Sequence, residues 1–278
     1  MSAVRGKVCA VTGAGSGIGR ALALELARRG ARPAISDVDA DGLAATAAML
    51  GGDVHRAVVD VADRDAVEAW AADVAAHHGV VHQIFNNAGI AFARTVLQSE
   101  YADYEQVLGV NLWGVIHGTK AFLPHVVASG DGHVTNISSV NGFLAQNRMS
   151  HYCTTKFAVR GFTESLRAEM LAAGHRVGVT VVHPGGVRTN IADAALEQAR
   201  RRGYVPTQAD LRRHAIFNER VLRLPAEEAA RIVLDGVEAG RARVLVGNDA
   251  RLVDVLVRLL PARYLPLSAA LERRLRRR

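Results

Sequence analysis

Tyr152 and Lys156 stand four residues apart in a stretch with helical periodicity. That spacing places two side chains one turn apart on the same face of a helix. A free phenol has a pKa of about 10 and is a poor base at neutral pH. A neighbouring ammonium favours the phenolate. Bringing a phenol down by about 3 units takes roughly 4 kcal/mol of differential stabilisation, of which Lys156 is expected to supply part. The pair therefore predicts a tyrosine general acid/base. A second chemical feature lies near the N-terminus, where the apolar run Val8-Cys9-Ala10-Val11 leads into Thr12-Gly13-Ala14-Gly15-Ser16-Gly17-Ile18-Gly19 and then an alanine- and leucine-rich helical stretch to Arg29. Strand, glycine turn and helix start together form a cradle for a pyrophosphate. Glycine permits close backbone approach, and the first N–H groups of a helix have no carbonyl of their own to bond.

Both features need a scaffold that brings them together. Apolar, β-branched runs predict strands near 7–12, 32–37, 54–59, 81–86, 132–138, 177–183 and 243–246. Helical periodicity is expected near 17–30, 40–50, 63–78, 100–127, 151–174 and 225–239. The alternation predicts an α/β chain: a Rossmann-like doubly wound parallel sheet of about seven strands, flanked by helices on both faces. The strands lack a polar alternate face, as covered sheets do. Ligands of such sheets bind at the C-terminal strand ends, where the glycine turn, Asp37, Asp60, Asn86 to Gly89, Ser139 and Pro184 fall.

The glycine pattern is T-G-x-x-x-G-x-G, and with it the chain resembles the short-chain dehydrogenase/reductases. The resemblance runs from about Lys7 to about Val246. It rests on Thr12-Gly13-x-x-x-Gly17-x-Gly19, Asp60-Val61, Asn86-Asn87-Ala88-Gly89, Asn111, Ser139, Tyr152-x-x-x-Lys156 and Pro184-Gly185-Gly186-Val187-x-Thr189 in that order. It implies hydride transfer between a nicotinamide and a carbinol carbon, with Tyr152 handling the proton at the oxygen. It further implies that Ser139 holds the reacting oxygen, with Ser138 as the alternative. Lys156 would also bond the nicotinamide ribose. Asn111 would hold a water linking Lys156 to solvent, or be a buried asparagine satisfied by backbone; the helix around it should carry a local irregularity. Asp60 and Val61 resemble the pair at the adenine, Asn87, Ala88 and Gly89 the segment lining the cofactor, and Val187 and Thr189 the residues at the carboxamide. Asp37, ending the second strand, suits the adenosine ribose hydroxyls and would repel a 2′-phosphate. Its alternative is a helix cap. Basic residues common in NADP-using members are replaced by Ser16 and Val38, so NAD(H) is the expected cofactor.

Composition sets further bounds. A chain of 278 residues is long enough to bury a substantial core. One catalytic domain is expected over 1–248, with a substrate lid near 190–224 and an extension over 249–278. Met1 to Lys7 leads directly into the first strand, no apolar run is long enough to span a bilayer, and Cys9 and Cys153 suggest no disulfide framework. A cytoplasmic location is expected. The net charge of +7 lies mainly in residues 251–278, with eight arginines against two acids, and no nucleic-acid-binding motif accompanies it. His151 and His183 lie near the proposed site but at no metal-ligand spacing. His77, His78 and His82 are expected at a surface or cap.

The lid mixes Ile191, Leu196, Ile216 and Phe217 with Arg200, Arg201, Arg202, Arg212 and Arg213, arginines that are either solvated or anion receptors. Phe143, Leu144, Ala145, Phe92 and Ala93 are expected as apolar walls. These suit a hydrophobic secondary alcohol or ketone. A 3-oxoacyl carrier-protein reductase is the alternative enzyme, and a non-catalytic NAD-binding scaffold the alternative class. The family implies a homo-oligomer, a tetramer or dimer, built on the long helices holding Asn111 and Tyr152. In the extension, Arg251, Asp254 and Arg258 share one helical face and Leu252, Leu256 and Leu259 the other. Such helices either pack on the body or a sister subunit, or touch a membrane surface.

Overall fold

The computed structural model describes residues 3–51, 54–201 and 204–276. Arg202 lies outside the described residues, as do the side chains of Arg201, Arg213 and Phe217.

Seven parallel strands form one sheet: β1 (Val8–Thr12), β2 (Arg32–Asp37), β3 (His55–Val58), β4 (Gln83–Asn86), β5 (Gly132–Ile137), β6 (Val177–Pro184) and β7 (Arg243–Val246). Their spatial order is β3-β2-β1-β4-β5-β6-β7, so the chain winds outward in both directions from β1 and β4. Alternate side chains of β1 explain why two helical layers are needed. Cys9 and Val11 pack into the core shared with Leu22 and Leu26 of α1 (Gly17–Arg28) and Val233 and Val237 of α9 (Ala226–Glu238). Val8 and Ala10 face the opposite core, with Trp70 and Val74 of α3 (Arg64–His78), Phe122 and Val126 of α5 (Gly114–Ala128), and Leu166 and Met170 of α6 (Ser150–Ala172). A five-residue strand buried throughout, as β1 is, reads as continuous apolar sequence because it has no wet face.

Two strands depart from that expectation. The edge strand β3 exposes Arg56 and Val58. The central β5 buries His133, Thr135 and Asn136. Buried polar groups must be bonded: Asn136 accepts from Asn86 Nδ2 at 2.8 Å and donates to Thr163 at 3.0 Å, while Asn86 also donates to Thr119 at 3.0 Å. This ladder fixes β4 and β5 against α5 and α6. His82 also corrects an expectation. Its Nδ1 accepts from the Val8 N–H at 3.1 Å, so the ring is built into the start of the sheet, and burial lowers its pKa.

The remaining helices are α2 (Ala40–Met49), α4 (Tyr101–Leu108), α7 (Ile191–Arg201), α8 (Gln208–Ile216), α10 (Asn248–Leu259) and α11 (Tyr264–Arg276). The single helix expected over 100–127 is divided into α4 and α5 by a π-type turn at Gly109–Trp113. Among the described residues no helix is long and apolar enough to cross a membrane, and no cluster of three or more His, Cys, Asp or Glu could hold a metal.

Candidate active site

Because the strands run parallel, their C-terminal ends share one edge of the sheet, and the turns leaving β1, β4, β5 and β6 gather there. The turn after β1 holds Gly13 at φ +67° and Gly17 at φ +53°, in the left-handed region that glycine enters without penalty. A Cβ on Gly13 would lie 2.7 Å from the Ala88 Cα, so the first and fourth turns touch backbone to backbone. Thr12 Oγ1 accepts from the N–H groups of Asn87 (2.9 Å) and Ala88 (3.1 Å), and Asn87 Nδ2 donates to the carbonyls of Thr12 (2.9 Å) and Gly13 (3.2 Å). Asn87 thus holds the glycine turn in shape.

Ser16 precedes α1 in an extended conformation and makes no side-chain cap; its hydroxyl donates to Asn190 at 3.2 Å. The N–H groups of Gly17, Ile18 and Gly19 therefore open the helix with no carbonyl one turn back, the arrangement that binds anions. A cavity of about 440 Å³ lies against this turn, lined by Gly15, Ser16, Gly17, Arg20, Arg188 and Thr189 among others. Asp37 Oδ2 accepts from the Gly15 N–H at 2.7 Å and Oδ1 from the Asp39 N–H at 2.9 Å. The cap of α2 is Asp39, which accepts from Gly42, so Asp37 is not a helix cap. Asp60 is exposed and accepts from the Ala62 N–H at 2.9 Å. Its neighbour Val61 is buried under the first turn of α5, where a Cβ on Gly114 would meet its side chain. The glycine cradle, its unpaired helix N–H groups and the cavity fit a dinucleotide pyrophosphate.

A second cluster lies where β4 and β5 end. Asn111 sits fully buried in the π-type turn. Its Oδ1 accepts from the Ile90 N–H at 2.8 Å, and its Nδ2 donates to the Ile90 carbonyl at 2.9 Å and to Thr155 Oγ1 at 3.3 Å. A Cβ on Gly89 would lie 3.4 Å from Asn111 Oδ1 and 3.6 Å from Lys156 Nζ; that glycine backs onto both groups. Lys156 is buried, donates to the Ile137 carbonyl at 2.9 Å, and lies 5.6 Å from the centre of the Tyr152 ring. The Ser139 hydroxyl lies close enough to the Tyr152 phenol to lower its pKa, and it accepts from the Asn141 N–H at 3.1 Å. Ser138 donates to the Lys156 carbonyl at 2.8 Å, which fixes it to the backbone of α6. Ser139, not Ser138, meets the phenol.

The electrostatics correct the simple reading of the Tyr–Lys spacing. Burial pushes the Tyr152 phenol up to about 12, with the Ser139 hydrogen bond offsetting part of that rise. Burial likewise brings Lys156 down to about 8. Burial is the largest cause at both groups, and the Lys156 ammonium donates to the Ile137 carbonyl. Both groups are held in their neutral forms more strongly than in water.

After β6, Gly185 donates to the Val246 carbonyl at 2.9 Å and Gly186 to Asp249 Oδ2 at 2.6 Å. Val187 is buried, and Thr189 lies beside Gly17, where a Cβ would sit 3.2 Å from Thr189 Cγ2. Asp249 was not among the expected residues, nor was Tyr264, whose hydroxyl accepts from the Ala145 N–H at 3.1 Å. Both belong to the extension. The signal for Asp249 was its place in the first turn after Gly247; for Tyr264 there was none, because the contact spans 119 positions.

The apolar walls need a correction too. Phe143 is buried between the Arg243 guanidinium (4.9 Å) and His183 (ring centres 5.1 Å), and Phe92 against His151 (4.3 Å). Half-exposed Leu144 and Ala145 and exposed Ala93 remain available. His183 Nδ1 donates to the Ser139 carbonyl at 2.7 Å, and burial brings its pKa down to about 4. His151 Nδ1 accepts from the Tyr152 N–H at 2.9 Å. Both rings position backbone beside the site. Arg148, at φ +66° just before α6, reaches Asp210 of α8 in the lid at 3.4 Å, while the lid's Arg200 and Arg212 are exposed.

A seven-stranded parallel sheet with a glycine turn, an asparagine in an interrupted helix and a Ser–Tyr–Lys cluster defines a dinucleotide-dependent oxidoreductase. The chain belongs to the short-chain dehydrogenase/reductase family, whose short chain dehydrogenase model matches residues 7–200. It is 52% identical to SadH of Mycobacterium tuberculosis, named as an oxidoreductase, over 97% of this chain and 96% of that one. It is 33% identical to the 3-oxoacyl-[acyl-carrier-protein] reductase FabG of Thermotoga maritima, over 71% of this chain and 80% of that one. Its structure resembles that of a short-chain dehydrogenase/reductase from Burkholderia phymatum in complex with NAD, with a TM-score of 0.84, 31% identity and 97% of each chain covered.

Proposed function

We propose that the chain is an NAD(H)-dependent oxidoreductase that interconverts a hydrophobic secondary alcohol and its ketone. The observation that carries this reading is the convergence of Ser139, Tyr152 and Lys156 beside Asn111, on the same sheet edge as the glycine turn. When bound, NAD(H) supplies the hydride exchange. Gly13 to Gly19 would receive its pyrophosphate, Asp37 its adenosine ribose, Asp60 and Val61 its adenine. Asn87 to Gly89 and Pro184 to Thr189 would line the nicotinamide half.

The chain's own residues handle the oxygen and its proton. In oxidation Tyr152, as phenolate, takes the hydroxyl proton of the alcohol; in reduction the phenol returns it to the ketone oxygen. Ser139 donates a hydrogen bond to that oxygen and orients it. At pKa about 8 Lys156 is mainly protonated at neutral pH. Turned from the Ile137 carbonyl toward the site, it supplies the positive charge that favours the phenolate. Asn111 steadies the Ile90 backbone and α6 around them. Leu144, Ala145, Ala93 and the lid offer an apolar lining. The exposed Tyr101 and Trp113 near α4 and α5, and Phe157 and Leu171 on α6, support a homo-oligomer built through these helices.

The likeness to a 3-oxoacyl-[acyl-carrier-protein] reductase favours a second reading, in which the ketone is an acyl thioester. Asp37 argues against it, since that reaction usually draws on NADPH and a carboxylate repels its 2′-phosphate. A panel of alcohols, ketones and 3-oxoacyl thioesters, followed by NADH absorbance with NADPH in parallel, separates the two. NADH should bind more tightly than NADPH, and Asp37→Ser should narrow the gap by roughly tenfold, the equivalent of one charged contact. Equal affinities in the parent protein would discard the role given to Asp37.

A further inference from the structure

The extension turns a stripe of leucines outward, while Ala250, Asp254 and the half-buried Val253 and Val257 face the body. A helix on a globular body normally turns its apolar stripe inward. In α10 the inward side carries Ala250 and Asp254, both buried, and Asp254 is held by Arg243 at 2.7 Å and Arg258 at 3.1 Å. The outward side carries Leu252 (70% exposed), Val255, Leu256 and Leu259 (73% exposed). Positions 252, 256 and 259 form one stripe at helical spacing. Arg251 and Arg258 lie along one flank of that stripe, and both are exposed. The neighbouring α11 begins at Tyr264, buried and tied to Ala145, and then exposes Leu265 and Leu267. Exposed Arg263 lies between the two helices. The Arg243–Asp254 ion pair ties α10 to β7 in this orientation, so the leucines are not left outside by fraying.

We infer that this face docks on an anionic lipid surface. An apolar helical stripe flanked by arginines suits the boundary between acyl chains and negatively charged headgroups, and a contiguous exposed apolar patch marks an interaction surface. Charge selects between occupants. Residues 251–278 carry eight arginines against two acids. Among the described residues, Arg251, Arg258 and Arg263 border the leucine face against the single acid Asp254; a two-fold contact with a second copy would bring those arginines together, whereas an anionic membrane complements them. The extension then rests on the membrane through α10 and the start of α11, while Asp249 and Tyr264 tie it to the Pro184–Thr189 turn and to the loop after Ser139.

Flotation of the full chain with phosphatidylcholine vesicles, with and without phosphatidylglycerol, tests this. The protein should float with the anionic vesicles at least ~10-fold more than with neutral ones, and added salt should release it. The triple change Leu252→Gln, Leu256→Gln and Leu259→Gln should remove most flotation, with NADH binding as the control for folding and light scattering showing an unchanged assembly mass. The double change Arg251→Gln and Arg263→Gln should lower flotation and blunt its salt response. Absence of flotation, equal flotation with neutral vesicles, or flotation untouched by the leucine changes would overturn the inference. A lower assembly mass in the triple variant would also overturn it, by assigning the face to a subunit contact.

Discussion

Tyr152→Phe should lower turnover by roughly 10²–10⁴-fold, the range a positioned acid/base contributes, while NADH binds within about threefold of the parent, a change of less than 1 kcal/mol. The change removes a single oxygen from a partly buried ring and leaves the aromatic packing in place. Ser139 loses its phenol partner but keeps the Asn141 N–H, so the turn after β5 should hold. The loss should fall on kcat, because the proton is required in the transition state and not for binding. A variant that retains near-parent turnover would remove Tyr152 from the proton transfer.

Lys156→Met should separate stability from activity. Lys156 is buried with one described hydrogen bond, to a carbonyl, and its pKa falls from 10.5 to about 8. The folded chain therefore holds that proton less well than the unfolded chain. The cost of keeping the charge is fully present below pH 8, fades between pH 8 and 10.5, and is gone above. A methionine of similar length avoids it, at the expense of an unpaired Ile137 carbonyl worth about 1 kcal/mol. At pH 7 the unliganded variant should be more stable by about 1–2 kcal/mol, measured by urea unfolding, and its advantage should shrink as pH rises past 8. Turnover should fall by at least roughly 100-fold, since the phenol loses the charge that favours its ionised form. A destabilised variant at pH 7 would contradict the electrostatic cost assigned to Lys156.

Much of this architecture is legible in the residues. The seven strands and their parallel order follow from apolar runs between helical stretches, because strands covered on both faces carry a continuous signal. The glycine turn is legible because a left-handed φ and backbone contact with Ala88 admit only one residue type. The interruption around Asn111 was expected from the need to free its side chain, and the π-type turn has that effect, although both polar ends of Asn111 go to the backbone of Ile90. What sequence does not carry is solvent exclusion. The sign of the Tyr152 shift depends on how much tertiary structure surrounds the phenol, and no four-residue spacing reports that. The same holds for Phe143, read as a wall but buried against Arg243 and His183, and for His82, whose ring completes the bonding of β1. The orientation of α10 was hidden because a helical wheel gives two faces without saying which turns inward; Arg243, eleven residues from Asp254, helps to decide it.

The central claim is that a phenol held weakly acidic by burial becomes a working base when NAD(H) is bound. Ultraviolet difference titration of the phenol, with Tyr152→Phe as the blank, measures this directly. The ionisation of Tyr152 should lie near 12 in the free protein and fall below that of a free phenol, about 10, in the presence of saturating NAD, the direction a nearby positive charge drives it. A Tyr152 that still ionises above about 10, the value of a free phenol, with NAD bound would contradict the account.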